Sequence, residues 1–334
     1  MKELINEAAN AGLALPYTPY WLGLTIGGLL STGSHGSTLW VKGSAVHDSV
    51  TELKIVSPGS LEDGYFKVRV LKDGDEDLDV ARVSLGVLGV SLRLEPLFKR
   101  SITYKTESDS YLAVEIYWVS SVKNFIQDVQ ELVKLQPKAL CGLELYNGIL
   151  MRYVTASSAY LGKEEDAVDF DITYYRSHDA MTPRLYEDII EEIEQMALIK
   201  YGALPHWGKN RNIAFDGVIK KYKNADKFLA LKKLYDPMGL FSSEWTDEVL
   251  GLQGGITTFK EGSALEGLCT CQEDIACAPS KGYFCTPGKV LKDAKVCSRQ
   301  NQVGDVLVDI NQVILEAMFM WSSSRGWLDP FFYK

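Results

Sequence analysis

Apolar residues recur at helical spacing in some stretches of the chain and alternate with polar ones in others. The pattern predicts an amphipathic helix from Val122 to Leu135. A second stripe, Tyr186, Ile189, Ile190, Ile193, Met196 and Ala197, belongs to a helix that Thr182 would cap and Pro183 would start. Further helices are expected from Glu3 to Ala11, closed by Gly12 as a left-handed C-cap, and from about Asp77. Another contains Phe228 to Leu234 and stops at Asp236-Pro237, because Pro and Gly cannot continue it. Strands are expected at Glu52–Ser57 and Tyr65–Val70, and after Gly86-Val87-Leu88-Gly89-Val90. More are expected up to about Trp118, within Leu143–Thr155 and at Val168–Tyr175. This order, without an internal repeat, predicts an α+β fold with helices on one sheet face; the clearest linker is Gly251 to Gly267.

A chain of 334 residues suggests about two domains with real cores. Its net charge of −9, with the signs mixed, excludes nucleic acid as the expected partner. No window approaches the roughly 20 apolar residues needed to cross a bilayer, so no transmembrane segment is expected. The start, Met1 to Glu7, is acidic and amphipathic, unlike a signal peptide. The cysteines point another way. Cys269, Cys271, Cys277, Cys285 and Cys297 crowd into a Gly- and Pro-rich stretch that needs staples to be ordered. Disulfides are favoured over zinc, since no C-x2-C pair and no nearby histidine is present; four would be bridged and one left odd, with Cys141 as an alternative partner. A disulfide framework implies an oxidising compartment. The four histidines are scattered, His47 and His178 in isolation, and no metal site is expected.

Two segments carry candidate chemistry. From Thr25 to Ser37 the chain combines Gly27, Gly28, Gly33 and Gly36 with Ser31, Thr32, Ser34 and Ser37, around His35. Glycines let a ligand lie against the backbone, and hydroxyls donate to phosphate or ring oxygens without a full charge. The spacing fits neither a Gly-Lys-Ser/Thr phosphate loop nor the G-x-G-x-x-G fingerprint. A nucleotide cradle and a plain Ser/Gly loop both remain open on these residues. Far downstream stands His206-Trp207-Gly208-Lys209. Oxidising a carbinol carbon needs a hydride acceptor, a positive charge beside it and a group to take the hydroxyl proton; His206 and Lys209 offer the last two, with Trp207 as a packing wall. Between them, Gly148 to Ser158 contains Leu150 and Arg152, whereas Arg176 has no motif behind it and reads as structural.

These segments together resemble the aldonolactone oxidoreductases, flavoenzymes of the vanillyl-alcohol oxidase superfamily, and among them the plant L-gulono-1,4-lactone oxidases. The resemblance implies that Gly27, Gly28, Ser31, Thr32, Gly33, His35, Gly36 and Ser37 wrap FAD. It implies too that His206 and Lys209 lie at the flavin's reactive edge, and that Arg152 faces the substrate from a strand carrying Glu-x-Arg. Leu150 stands where that pattern has its glutamate, which puts the usual polyol contact in doubt. The Cys-rich tail after Ser242-Ser243-Glu244-Trp245-Thr246-Asp247 is also similar, and implies a secretory or extracellular location. The implied reaction is oxidation of an aldonolactone, L-gulono- or D-arabinono-1,4-lactone, with dioxygen as acceptor, toward L-ascorbate.

Set beside the family pattern, residues 1–100 read as the second lobe of a vanillyl-alcohol-oxidase-type FAD-binding domain. Residues 101–250 read as a shortened cap and C-terminal domain, and 251–334 as linker, Cys-rich tail and divergent extension. The first flavin lobe and much of the cap are expected to be missing, and FAD to be held more weakly for it. Two other readings stand at this point: a non-catalytic family member, and an interaction module built on the Cys-rich tail.

Overall fold

In the computed structural model, a capped helix occupies the place where the sequence suggested only a glycine-rich loop. The structure describes residues 1–14, 17–19, 21–39, 44–96, 112–117, 119–140, 145–174, 182–183 and 186–300. Trp118, Cys141, Glu144, Tyr175, Arg176 and His178 lie outside them, as do the segments 97–104 and 302–334. Helix α1 spans Lys2–Asn10, and Gly12 follows at φ +70°. Helix α2, Ile26–Ser31, begins at Thr25, whose Oγ1 accepts the Gly28 amide at 3.1 Å. Strands β1 (Val50–Pro58), β2 (Phe66–Lys72) and β3 (Val90–Pro96) form an antiparallel sheet in the order β2-β1-β3, with α3 (Glu76–Ala81) between β2 and β3 in sequence.

The second sheet carries the site. Strand β4 (Leu112–Tyr117) and helix α4 (Val119–Leu135) are followed by the hairpin of β5 (Leu145–Val154) and β6 (Ala167–Tyr174). Helix α5 (Glu187–Gln195) and the short β7 (Leu204–Pro205) complete it, and the sheet order is β5-β6-β4-β7. One face of this sheet packs against helices: Phe125 of α4 meets Phe170 of β6 edge-on at 4.9 Å. The α5 stripe is buried as its spacing requires, with Ile189, Ile190, Ile193, Met196 and Ala197 all in the same core. The helix starts at Glu187 rather than Pro183, because Tyr186 takes φ +56° and cannot extend it backward. Helices α6 (Asn212–Phe215), α7 (Ala225–Tyr235) and α8 (Glu244–Val249) follow. Asp236 closes α7 by accepting the Leu240 and Phe241 amides at 2.8 and 2.7 Å. Trp207, Phe215, Phe228 and Tyr235 join Leu29, Leu53, Ile55 and Leu78 in one core, so residues on both sides of the β5–β6 sheet in sequence share it.

Helix α5 also buries its polar face: Glu187, Glu191, Glu192, Glu194 and Gln195 are all buried. Such carboxylates need partners, and the Cys-rich segment and Arg211 supply them. Glu192 accepts the Lys289 amide at 2.6 Å and the Val290 and Leu291 amides at 2.6 and 2.7 Å. Glu191 accepts the Cys297 amide at 2.6 Å, and Gln195 exchanges two hydrogen bonds with the Lys295 backbone. A Cβ on Gly288 would come within 2.7 Å of the Glu192 carboxyl carbon, so glycine alone lets that backbone approach. Arg211 bridges Glu187 and Glu194. Burial, then the Glu187 charge, push Glu191 well above the ordinary carboxylate range. Strands β8 (Tyr283–Pro287) and β9 (Lys295–Arg299) and two disulfides, Cys271–Cys285 and Cys277–Cys297, order the segment; Cys269 keeps a buried thiol beside Ser263.

Two outcomes are expected. Non-reducing peptide mapping of protein made in an oxidising compartment should return the pairs Cys271–Cys285 and Cys277–Cys297, and stoichiometric zinc on free thiols would contradict the fold. Glu192→Ala strands three partly buried amides and should cost on the order of 3 kcal/mol in urea unfolding. A loss below about 1 kcal/mol would mean that the segment is held elsewhere.

Candidate functional site

The Ser/Gly segment leaves α2 and is stitched onto the end of β5. The Tyr153 amide donates to Ser37 Oγ at 3.0 Å, the Thr38 amide to the Tyr153 carbonyl at 2.8 Å, and the Thr155 amide to Ser44 Oγ at 2.8 Å. Gly36 is needed because the Tyr17 backbone lies 2.9 Å from where its Cβ would stand. Thr32 Oγ1 donates to the Gly28 carbonyl at 2.8 Å, and Gly33 turns the chain at φ +68°. Gly27 and Ser31 face a half-open cavity of about 300 Å³, which also presents Arg82, Ser84 and Ser91 over an apolar floor of Ile26, Leu30, Val50, Leu53 and Ala81. Arg82 is anchored by Asp79, Asp73, Ser158 and the Val50 carbonyl, while its buried Nε meets no protein acceptor among the described residues.

A second cluster is assembled by strand register. In the β5–β6 pair Arg152 stands opposite Asp169 and Leu150 opposite Asp171, so all four belong to the sheet face away from Phe170. Both aspartates are fully buried. Arg152 binds Asp169, reaches Asp171 Oδ2 at 2.6 Å and donates to the His35 carbonyl at 3.2 Å. Lys209 donates to Asp171 Oδ1 at 2.8 Å. The His35 ring lies 3.7 Å from Asp169 and 5.5 Å, centre to centre, from His206. Burial, then Asp169, raise Asp171 above the usual carboxylate range; Arg152 and Lys209 oppose this.

The turn 206–210 aims its side chains by local hydrogen bonds. The Lys209 amide and Asn210 Nδ2 both donate to the His206 carbonyl, at 3.1 and 2.9 Å, with Asn210 held at φ +116°. His206 Nδ1 accepts the Gly208 amide at 3.0 Å, so the ring hydrogen sits on Nε2. Burial, then Lys209, hold its pKa well below 6.5, and His206 is a neutral N–H donor at pH 7. Trp207 donates Nε1–H to the Leu161 carbonyl at 2.9 Å and stacks against Phe215 and Tyr222, a wall as its motif suggested.

The structure thus brings His35, Arg152, His206 and Lys209 together, and places Gly27 and Ser31 on the cavity that Arg82 lines. Sequence reasoning missed Asp169 and Asp171. Their signal was two carboxylates at alternate positions of Val168-Asp169-Phe170-Asp171-Ile172, with the apolar residues on the other face. Leu150, in contrast, is 44% exposed at the edge of the cluster.

Comparison with known proteins defines the class. Cholesterol oxidase from B. sterolicum superposes with a TM-score of 0.56 over 75% of this chain and 79% of its own, at 11% identity. That likeness shows the fold alone, α+β with helices packed on antiparallel sheets. Residues 114–249 match the D-arabinono-1,4-lactone oxidase family model, and 260–299 the C-terminal domain of L-gulonolactone oxidase 2-like proteins. The chain belongs to the L-gulonolactone oxidase family: it is 43% identical to probable L-gulonolactone oxidase 6 of Arabidopsis thaliana, over 91% of this chain and 75% of the relative. That alignment runs over 452 positions, more than the 334 residues present, so the relative has internal sequence without a counterpart here. A probable truncated L-gulonolactone oxidase 7, mitochondrial, of the same plant is 60% identical over 205 residues, 61% of this chain and 79% of its own.

His47, beside this site, gives a pH test. Its Nε2 lies 3.0 Å from Ser157 Oγ, whose own hydrogen goes to Asp48, so the ring N–H is the donor; burial lowers its pKa from 6.5 to about 4. The folded state resists the proton that the unfolded chain takes up, so this stability is complete above pH 6.5 and is lost as pH falls toward 4. It amounts to about 3 kcal/mol. His47→Gln should flatten the slope of unfolding free energy across that window; an unchanged slope would assign it to other groups.

Proposed function

We propose that this chain is an FAD-dependent oxidoreductase acting on an aldonolactone of the L-gulono- or D-arabinono-1,4-lactone type, yielding a precursor of L-ascorbate. The observation that carries the reading is the convergence of Arg152, Lys209, His206 and His35, from three separate parts of the chain, beside the Ser/Gly segment. The residues fit the cofactor. Arg82, Ser84, Ser91, Ser31 and the Gly27 backbone would hold part of the dinucleotide, and Arg82 Nε offers a buried donor with no protein acceptor among the described residues. When bound, FAD supplies the hydride acceptor and passes the electrons on to dioxygen.

The chain's own residues supply the rest. Lys209 puts a positive charge at the place where the reaction accumulates negative charge. His206 Nε2–H can orient a substrate oxygen, and Arg152, planar and always charged, can hold lactone oxygens. Relatives named L-gulonolactone oxidase support the substrate class. The relative's internal sequence without a counterpart here supports residues 101–250 as a reduced cap and C-terminal domain after the second flavin lobe at 1–100. Two disulfides in the tail favour a secretory or extracellular location. No helix among the described residues is long and apolar enough to cross a membrane.

The test is direct. Purified chain titrated with FAD should quench flavin fluorescence, and anaerobic L-gulono-1,4-lactone should then bleach the flavin absorbance. Lys209→Ala should slow that bleaching about a hundredfold, the typical cost of one preorganised charge. Flavin that stays oxidised in the presence of lactone would overturn the reading.

A further inference from the structure

Arg152 and Lys209 are 57 residues apart in sequence, and Asp171 touches both. Two cations brought this close repel one another, and a carboxylate between them removes the repulsion. Lys209 needs it most, because its ammonium rides on a flexible four-carbon stem with 19% of the side chain exposed. Register adds a second argument. Asp171 lies directly across from Leu150, and residues opposite one another on a sheet face hold their Cβ atoms about 5 Å apart. A carboxylate absent at position 150 is thus present one strand over.

We propose that Asp171 is the positioning residue of this site, fixing Lys209 and Arg152 at the spacing that an aldonolactone requires. The substrate part rests on the function proposed above, whereas the clamp itself rests on geometry alone. Among the described residues, the charged groups facing Asp171 are Asp169 on its own strand, Arg152 on β5 and Lys209 from the 206–210 turn; the titratable rings nearby are His35, 3.7 Å from Asp169, and His206, 5.5 Å from His35 centre to centre. Asp169 binds Arg152 but not Lys209 among the contacts described, which separates the two aspartates experimentally.

The experiment combines competitive acetylation of lysines in the full chain, read by mass spectrometry against exposed Lys67, with calorimetric binding of L-gulono-1,4-lactone. Asp171→Asn should raise the Lys209 labelling ratio several-fold and weaken lactone binding by about tenfold or more, the worth of a lost charged contact. Asp169→Asn should leave the labelling ratio near the unmutated value. Adding Leu150→Glu to Asp171→Asn should restore both readouts in part, which a merely structural role would not do. Lys209 labelled at the original rate in Asp171→Asn, or no rescue from position 150, overturns the proposal. If the unmutated chain binds no lactone while Asp171→Asn still releases Lys209, the clamp stands and the substrate reading falls. Should Asp171→Asn fail to fold, the unmutated chain decides. Its Lys209 ratio should climb as acidification protonates Asp171, and a flat ratio overturns the assignment.

Discussion

Burying a carboxylate requires a partner, and this fold is organised around two groups of buried carboxylates. On β6, Asp169 and Asp171 draw in Arg152 from the next strand and Lys209 from the 206–210 turn. On α5, Glu191, Glu192 and Glu194 draw in Arg211 and the backbone amides of residues 289–297. The isolated charges would cost several kcal/mol each, so the partners are conditions of folding rather than ornaments. The first group makes the site; the second seats the Cys-rich segment against the helix behind it.

That arrangement explains why the segment belongs to the body of the protein. Its disulfides order the segment internally, but its attachment runs through backbone amides received by side chains of α5. The same helix packs its apolar stripe against the sheet whose opposite face carries Arg152, Asp169 and Asp171. An independent interaction module would not need three buried polar residues, Glu191, Glu192 and Gln195, on a neighbouring helix.

Much of the fold was legible because apolar periodicity records burial: α4, β1, β2, β6 and the α5 stripe fall near where the pattern placed them. Helix α2 was not, since two glycines argue against a helix and only the Thr25 cap and the packing of Leu29 favour one. The start of α5 was misplaced because Thr182-Pro183 has the composition of a helix start, and the left-handed Tyr186 that cancels it leaves no mark in the sequence. At the site, Arg152, His206 and Lys209 stood out by motif. Asp169 and Asp171 did not, because a carboxylate on a strand reads as a solvated side chain until the register shows what lies opposite.

The face formed by Arg152, Asp171, Lys209 and His206 is proposed to receive the reacting end of a flavin and its lactone. A crystal structure of the chain grown with FAD and L-gulono-1,4-lactone tests it most directly. The isoalloxazine ring should lie beside His35, His206 and Lys209, with the lactone within hydrogen-bonding reach of Arg152. Flavin bound elsewhere, or a lactone turned away from that strand, would contradict it.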